Sequence, residues 1–518
     1  MITAIPAIRR NWALAFVILI AVAGAIAHSW FGQSWVSTSG HAVGSDDAYI
    51  SYRYASNFFN GGGLVFNSGE YVEGYSNFLY ILMVLPSFLI SRDIVYVYSV
   101  ALNTLFFIAT ILIFFTFVKA RLGRDLAYAG AFLLSANPWM WANVATGLET
   151  SLILLVTTAL WVCAELYYER HERRLLVAIL LLCAVSMLSR VDGFLLPLAL
   201  SLWSFIRGER RLGFRIVLLV LSVAVFYTAC RYFYYHDVIA NTFYNKVSGN
   251  LFVRIKAGVS FVVDYSIRSG LWVAILGVPL VFVLTAIRTG RRGGVGFAEF
   301  FLVLWLGYLV WIGGDIYYER FLVAIMPMGL FVVLKLMSRI QFRGVLMIGV
   351  LILAISQSVF ALKDGRFDYR AERYDCWLAV GKLLGERYPG ATLAVDAAGK
   401  IPYVSGLFTI DMLGLNDRHI GKMKVESASF HPGHSKFDAA YVMGRKPDLI
   451  AAWMTPSLDL GWDITRNRYE GSYHLKFLVN SSRQDLGAGN IVDVSGRSDA
   501  ELKDLVAREF NYAVLVRN

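Results

Sequence analysis

The chain has 518 residues, of which 57% are hydrophobic, 15% aromatic and only 16% charged, with a formal net charge of +11. Such low charge, combined with repeated apolar runs of about 20 residues that each suffice to cross roughly 30 Å of hydrocarbon, excludes an ordinary soluble protein and predicts an α-helical polytopic membrane protein. The Lys and Arg residues cluster in short loops between the apolar runs, as the positive-inside rule expects, so nucleic acid is not the partner that the net charge implies.

In chain order, Arg9-Arg10 precedes an apolar run from about Trp12 to Phe31 with no small-residue cleavage pattern behind it. It reads as a retained first membrane helix with its N-terminus in the cytoplasm. Residues 32–94 then form a long loop that carries the adjacent acids Asp46 and Asp47. A helix is predicted from Ala48 to Phe59, so Ser45-Asp46-Asp47 can serve as a solvated acidic N-cap. Neighbouring carboxylates repel, however, and become useful when one takes a proton or meets a cation. Residues 76–91, interrupted by Pro86, are expected to lie in or re-enter the outer leaflet, because a full crossing would invert every later loop.

Further runs follow near 95–118, 126–140, 150–168, 174–188, 192–206, 214–232, 270–288, 297–313, 319–336 and 344–361. Basic clusters at Lys119-Arg121-Arg124, Arg170-Arg173-Arg174, Arg207-Arg210-Arg211-Arg215, Arg288-Arg291-Arg292 and Lys335-Arg339-Arg343 come after alternate helices. One orientation puts all of them inside, and with the C-terminal part outside the crossings are odd in number, about eleven. Two units are expected: residues 1–362 in the membrane and a soluble extracytoplasmic α/β domain over 363–518. The latter opens with an amphipathic helix from Tyr374 to Tyr388, a strand from Ala391 to Asp396, a helical turn from Gly399 to Ser405 and a strand from Phe408 to Asp411. The four cysteines and eight histidines show no disulfide framework or metal-ligand spacing, and His431-Pro432-Gly433-His434 reads as a surface loop.

The outer loops hold the polar residues. Cations stand at Arg190, Arg231, Lys246 and Arg320, and acids at Asp46, Asp47, Glu149, Asp192 and Asp315, among many Tyr and Trp side chains. Arginine forks suit a phosphate, while carboxylates and aromatic faces suit the hydroxyls and apolar faces of a sugar. Asp396–Gly399 and Asp411–Asp417 read as turns and strand ends without catalytic logic.

The ordered segments Asp46–Tyr54, Gly63–Asn67, Val72–Asn77, Thr146–Thr150, Asn241–Tyr244, Gly313–Asp315, Arg320-Phe321 and Asp411–Asp417 resemble the GT-C superfamily of polyprenyl-phosphate-sugar-dependent glycosyltransferases. Within it the chain looks most like the mycobacterial terminal arabinofuranosyltransferase type. At Ser189–Gly193 it departs, with Val191-Asp192 where many relatives are expected to carry Pro-Glu, which weakens any role carried over to Asp192. The resemblance implies an inverting transfer of a sugar, arabinofuranose being one candidate, from a polyprenyl-phosphate donor to a hydroxyl of a cell-envelope glycan or glycolipid, on the periplasmic face of a bacterial inner membrane. A first-loop carboxylate would be the general base; Asp46 is preferred, with Asp47 orienting Arg53 or the acceptor, and the reverse assignment stays open. Arg190, Arg231, Lys246 and Arg320 are the expected donor-phosphate residues, and Arg53, Tyr54, Glu73, Tyr75, Glu149, Asn241, Tyr244 and Asp315 the expected substrate contacts. A divalent cation, Mg²⁺ or Mn²⁺, held by Asp46 and Asp47 with Glu149 or Asp315 is an open alternative. The rival function is a transporter or flippase of lipid-linked sugars, against which stands the gathering of ionisable residues at the outer helix ends.

Overall fold

The computed structural model describes residues 5–31, 44–246, 250–268, 277, 296–315, 320–339, 343–363, 375–424, 434–481 and 490–518. Helix α1 (Ile5–Phe31) is followed by α2 (Asp46–Phe59), α3 (Phe78–Val84, continued by a 3-10 turn to Leu89) and α4 (Val95–Leu122). Residues 78–89 are about 18 Å long at 1.5 Å per residue, too short to cross a bilayer. The apolar run expected at 126–140 is two helices, α5 (Arg124–Ser135) and α6 (Pro138–Ala145). The break is local: Pro138 has no N–H to continue α5, and the Asn137 side chain accepts the Trp139 amide at 2.9 Å to start α6.

The chain continues through α7 (Thr150–Arg170), α8 (Arg173–Ser189), α9 (Leu195–Arg207), α10 (Arg210–Tyr235), the short α11 (Asn241–Lys246), α12 (Leu251–Arg268), α13 (Phe297–Ile312), α14 (Arg320–Val323), α15 (Met326–Met337) and α16 (Arg343–Lys363). The run expected at 319–336 is also divided, with Pro327 in the first turn of α15. Among the described residues four helices are long and apolar enough to span a membrane, within 12–30, 92–122, 150–170 and 210–235. Shorter apolar helices stand beside them, and the run expected at 270–288 lies outside the described residues. The chain is therefore a multi-pass membrane protein, and the particular count of eleven is not established. Phe214, Leu218, Leu221 and Val225 show the reason α10 needs lipid: at spacings of four, three and four they form one exposed apolar stripe.

Beyond the membrane helices, α17 (Cys376–Arg387), β1 (Thr392–Val395), α18 (Lys400–Ser405) and β2 (Phe408–Asp411) fall where the sequence predicts them. Next come α19 (Arg418–Lys422), α20 (Ala439–Gly444), β3 (Leu449–Trp453), α21 (Arg466–Tyr469), β4 (Tyr473–Val479), β5 (Ile491–Asp493), α22 (Asp499–Ala507) and β6 (Tyr512–Arg517). They build one six-stranded sheet of order β2-β1-β3-β6-β4-β5, parallel across β2-β1-β3 and antiparallel from β3 to β5. Side chains alternate between two cores: Leu393, Val395, Leu449 and Ala451 pack toward α17, while Ala394, Ile450 and Ala452 face the opposite layer.

Candidate functional site

Asp46 and Asp47 open α2, and successive residues on a helix point about 100° apart. The two carboxylates consequently face different surroundings. Asp46 accepts the backbone N–H groups of Gly399 at 2.9 Å and Lys400 at 2.7 Å, closing the first turn of α18 in the C-terminal domain. A β-carbon on Gly399 would lie 1.8 Å from the Asp46 carbonyl oxygen, so this approach requires glycine. Burial pushes the Asp46 carboxyl up to about 7, against the Lys400 amide and charge. These bonds occupy both Asp46 carboxylate oxygens in the contact with the C-terminal domain. Between Asp46 and Ser56, Asp47 alone retains access. It lines a cleft with Ser51, Ser76, Asn77, Glu149, Thr242 and Arg320.

Around that cleft runs a continuous polar chain. Ser51 donates to Asn77 Oδ1 at 3.0 Å, and Asn77 Nδ2 donates to Glu149 Oε2 at 2.9 Å. Glu149 Oε1 receives Arg190 at 2.6 Å, and Arg190 also binds Asp192 at 2.8 Å. Tyr308 donates to Asp192 at 3.0 Å. Burial raises the Glu149 carboxyl, but Arg190 and Arg320 outweigh it and hold the group below the usual carboxylate range. Arg320 pairs with Asp315 at 2.5 Å. The Phe321 ring lies 4.5 Å from the Arg190 guanidinium and 5.6 Å from that of Arg320, so the two cations share one aromatic partner.

Two larger cavities adjoin the cleft. One of about 280 Å³ begins at Arg190, Asp192 and Asp315 and is walled by Phe194, Phe243, Trp311 and Phe321. The other, of about 860 Å³, is lined by Phe78, Leu188 and apolar and aromatic residues of α10, with the Glu73–Arg231 ion pair in its wall. The extended segment from Glu73 to Asn77 supplies both, with Glu73 and Tyr75 on the large cavity and Ser76 on the small one. Arg231 is thus brought to Glu73 and the large cavity, and not to the Arg190–Arg320 group.

Several expected substrate contacts are structural ties. Arg53 is buried and donates to the carbonyls of Phe66 at 2.7 Å and Leu407 at 2.7 Å, to that of Pro402, and to Asn67 Oδ1 at 3.0 Å. Tyr54 donates to Val72 O at 2.7 Å and Asn416 Oδ1 at 3.2 Å. Asn241 Nδ2 donates to the carbonyls of Gly414, Leu415 and Asp417 at 2.9–3.0 Å. Tyr244 donates to Asp237 at 3.3 Å and is not part of the cleft wall. Arg53, Tyr54 and Asn241 thus tie the membrane unit to the C-terminal domain, while the Tyr244 hydroxyl bonds within the membrane unit. The side chain of Lys246 lies outside the described residues, as does His431.

The Asp46 carboxylate turns to the Gly399 and Lys400 amides while Asp47 lines the cleft, and among the described residues no group of three or more His, Cys, Asp or Glu is placed to hold a metal ion. Asn77, Ser51, Tyr308 and Phe321 were missed as site residues. Ser51, Asn77 and Phe321 lie in the segments that carry the resemblance, but an uncharged side chain carries no sequence signal of its partners.

A domain of unknown function, DUF8728, matches residues 366–503. No curated protein matches the sequence. Among solved structures, ArnT from Cupriavidus metallidurans in the apo state superposes with a TM-score of 0.59 at 13% identity, covering 98% of each chain. The same protein bound to undecaprenyl phosphate gives 0.56 at 11% identity over 97% of this chain and 98% of that one. The Archaeoglobus fulgidus oligosaccharyltransferase in complex with Zn and sulfate gives 0.53 at 12% identity, over 90% of this chain and 72% of its own. The sequence likeness is remote while the alignment runs end to end, so what is shared is the architecture: the chain has the GT-C membrane fold.

Proposed function

We propose that the protein is a membrane glycosyltransferase that moves a sugar from a polyprenyl-phosphate donor to a hydroxyl of a cell-envelope glycan or glycolipid, on the outer face of a bacterial plasma membrane. The observation that carries this reading is the convergence of Asp47, Glu149 and Arg320 on one cleft whose wall continues through Arg190 into an apolar cavity. A carboxylate beside two guanidiniums at the mouth of an apolar channel suits a substrate with a phosphate between a sugar and a lipid. ArnT from Cupriavidus metallidurans, of the same fold, is described bound to undecaprenyl phosphate, which supports a lipid phosphate as donor here.

In the proposed step the acceptor O–H attacks the anomeric carbon, the bond from that carbon to the phosphate oxygen breaks, and the configuration inverts. The acceptor proton passes to the Asp47 carboxylate, and the lipid phosphate leaves with the bonding electron pair. Arg190 and Arg320 stabilise the charge that grows on its oxygens. Glu149 and Asp192 hold Arg190 in place. The resemblance to the arabinofuranosyltransferase type makes arabinofuranose the first sugar to test.

The test uses the purified full-length protein in lipid nanodiscs, a panel of undecaprenyl-phosphate sugars that includes arabinofuranose, and an envelope glycolipid extract, with products read by mass spectrometry. Wild type is expected to form a new glycoside. Asp47→Asn is expected to lose about 10²- to 10⁴-fold in rate while its thermal unfolding is unchanged. Full activity in the Asp47→Asn variant would remove the proposed base, and lipid-linked sugar moved between the leaflets of sealed proteoliposomes without a new glycosidic bond would favour a flippase.

A further inference from the structure

The segment Asp411-Met412-Leu413-Gly414-Leu415-Asn416-Asp417 leaves the end of β2 and lies against the first loop, and its shape is fixed from both sides. From within, the Asp411 carboxylate accepts the amides of Leu413 at 3.0 Å, Gly414 at 3.2 Å and Asn416 at 2.8 Å, and the Asn416 side-chain N–H at 3.0 Å. From the membrane unit, Asn241 donates to the carbonyls of Gly414, Leu415 and Asp417, and Tyr54 donates to Asn416. The fit is close enough that a β-carbon on Gly74 would lie 2.0 Å from Asn416 Oδ1. Gly414 itself sits at φ +75°, in the left-handed region where glycine is favoured.

Six of the seven residues are buried, and Leu415 alone keeps partial access. Its side chain is part of the wall of the Asp47 cleft. A segment braced by this many hydrogen bonds therefore holds Leu415 in the cleft wall; the other apolar residues of that wall, Ile50, Tyr75 and Leu148, are buried, so Leu415 is the apolar residue there that keeps access. A single accessible leucine needs no explanation on a general surface. Here it stands beside the proposed base, and it lines neither of the cavities that open from Arg190.

We propose that Leu415 is the acceptor-side specificity residue of the cleft, with Asp411 and Asn241 as the positioning residues that hold it there; this rests on the transferase reading above. The proton that Asp47 takes belongs to the acceptor, so the wall facing Asp47 without touching the Arg190 cavity meets the acceptor and not the donor lipid. Leu415 packs against the apolar C–H face of the acceptor sugar and keeps water out of its place. When that wall is cut back, water occupies the acceptor's position: its O–H attacks the anomeric carbon, its proton goes to Asp47, and free sugar and lipid phosphate are released. The wild-type side chain thus favours transfer over hydrolysis.

The experiment compares Leu415→Ala and Leu415→Met with wild type in nanodiscs, with an undecaprenyl-phosphate sugar as donor and a series of octyl glycosides as acceptors. Transferred and free sugar are measured together. Leu415→Ala is expected to raise the acceptor KM and the ratio of hydrolysis to transfer by about tenfold, the scale of removing one apolar group from a specificity pocket. The donor KM should stay the same, and Leu415→Met, of similar volume, should restore the wild-type ratio and report on the wall even if the alanine variant misfolds. An unchanged acceptor KM and ratio, or an equal rise in donor and acceptor KM, overturns the inference. A wild-type protein that neither binds undecaprenyl phosphate nor forms any glycoside overturns the transferase reading and this inference together. An active wild type with an indifferent Leu415→Ala removes only the inference.

Discussion

At the scale of single residues, the two adjacent acids meet different surroundings because a helix directs them apart. Asp46 is pushed up to about 7 by burial, so the native state holds its proton more tightly than the unfolded chain does. Its contribution to stability is therefore fully present below the unfolded value near pH 4 and is lost as pH rises through about 7, a change on the order of 4 kcal/mol for a shift of three units. The amides it receives belong to Gly399 and Lys400, so the loss should appear at that contact. Hydrogen exchange of those two amides between pH 5 and 8, corrected for the intrinsic rate, is expected to show protection falling in wild type. In Asp46→Asn it should be nearly flat, with a constant loss of about 1 kcal/mol from one missing hydrogen bond. Parallel pH profiles in the two proteins would mean that the Asp46 carboxyl is not what titrates there.

At the scale of elements, α2 acts as a wedge between the membrane helices and the C-terminal domain. Asp46, Tyr49 and Arg53 fall at i, i+3 and i+7 on one face, and all three touch that domain: Asp46 at Gly399, Tyr49 ring to ring with Tyr403 at 5.4 Å, and Arg53 at Leu407. Asp47 and Ser51, at i and i+4, share the face that lines the cleft. Arg53→Lys replaces a fork that reaches four acceptors with one ammonium, giving up two or more charge-assisted hydrogen bonds, while each acceptor keeps a second donor in Asn57, Gly406 or Thr409. A loss of about 3 kcal/mol is expected, seen as a lower Tm and as earlier proteolytic release of the C-terminal domain; an unchanged Tm would show that the contact carries little. The first turn of this wedge was the part illegible in the sequence. The helix predicted from Ala48 leaves both acids in a loop where their directions are undefined, whereas α2 begins two residues earlier, with Ser45 at the N-cap position and no capping bond from its side chain. Strands β1 and β2 were legible because each is a short apolar run between turn residues. The breaks at Asn137-Pro138 and before Pro327 were hidden inside continuous apolar stretches, since hydropathy does not register a single missing N–H. The partners of Arg53, Tyr54 and Asn241 in the C-terminal domain lie 173 to 362 positions away along the chain, and a single sequence carries no record of such pairs.

At the scale of the whole molecule, the segment from Glu73 to Asn77 contributes to two apolar cavities, each with an arginine–carboxylate pair at its polar side, Glu73–Arg231 in the larger and Arg190–Asp192 in the smaller. A prenyl chain has room in the cavity of about 860 Å³ near Arg231, while the cavity of about 280 Å³ is the one that reaches Arg190. In the proposed transfer, charge decides between them for the donor: the leaving phosphate would sit within reach of the anomeric carbon attacked by the acceptor at Asp47, and of the two arginine groups it is Arg190–Arg320 that shares walls with Asp47 and Glu149. Arg320→Lys keeps the charge next to Asp315 but removes the bidentate fork, and is expected to weaken binding of undecaprenyl phosphate by about tenfold. Arg231→Lys, which keeps a cation beside Glu73, should leave that affinity within about twofold. Thermal stabilisation of the full-length protein by undecaprenyl phosphate measures both, because a ligand that binds only the native state raises Tm in step with its affinity. The reverse ranking would move the donor to the large cavity. The Arg190–Arg320 group would then meet the acceptor, and Leu415 would lose its argument, since the side of the cleft it walls is defined by which cavity the lipid phosphate occupies.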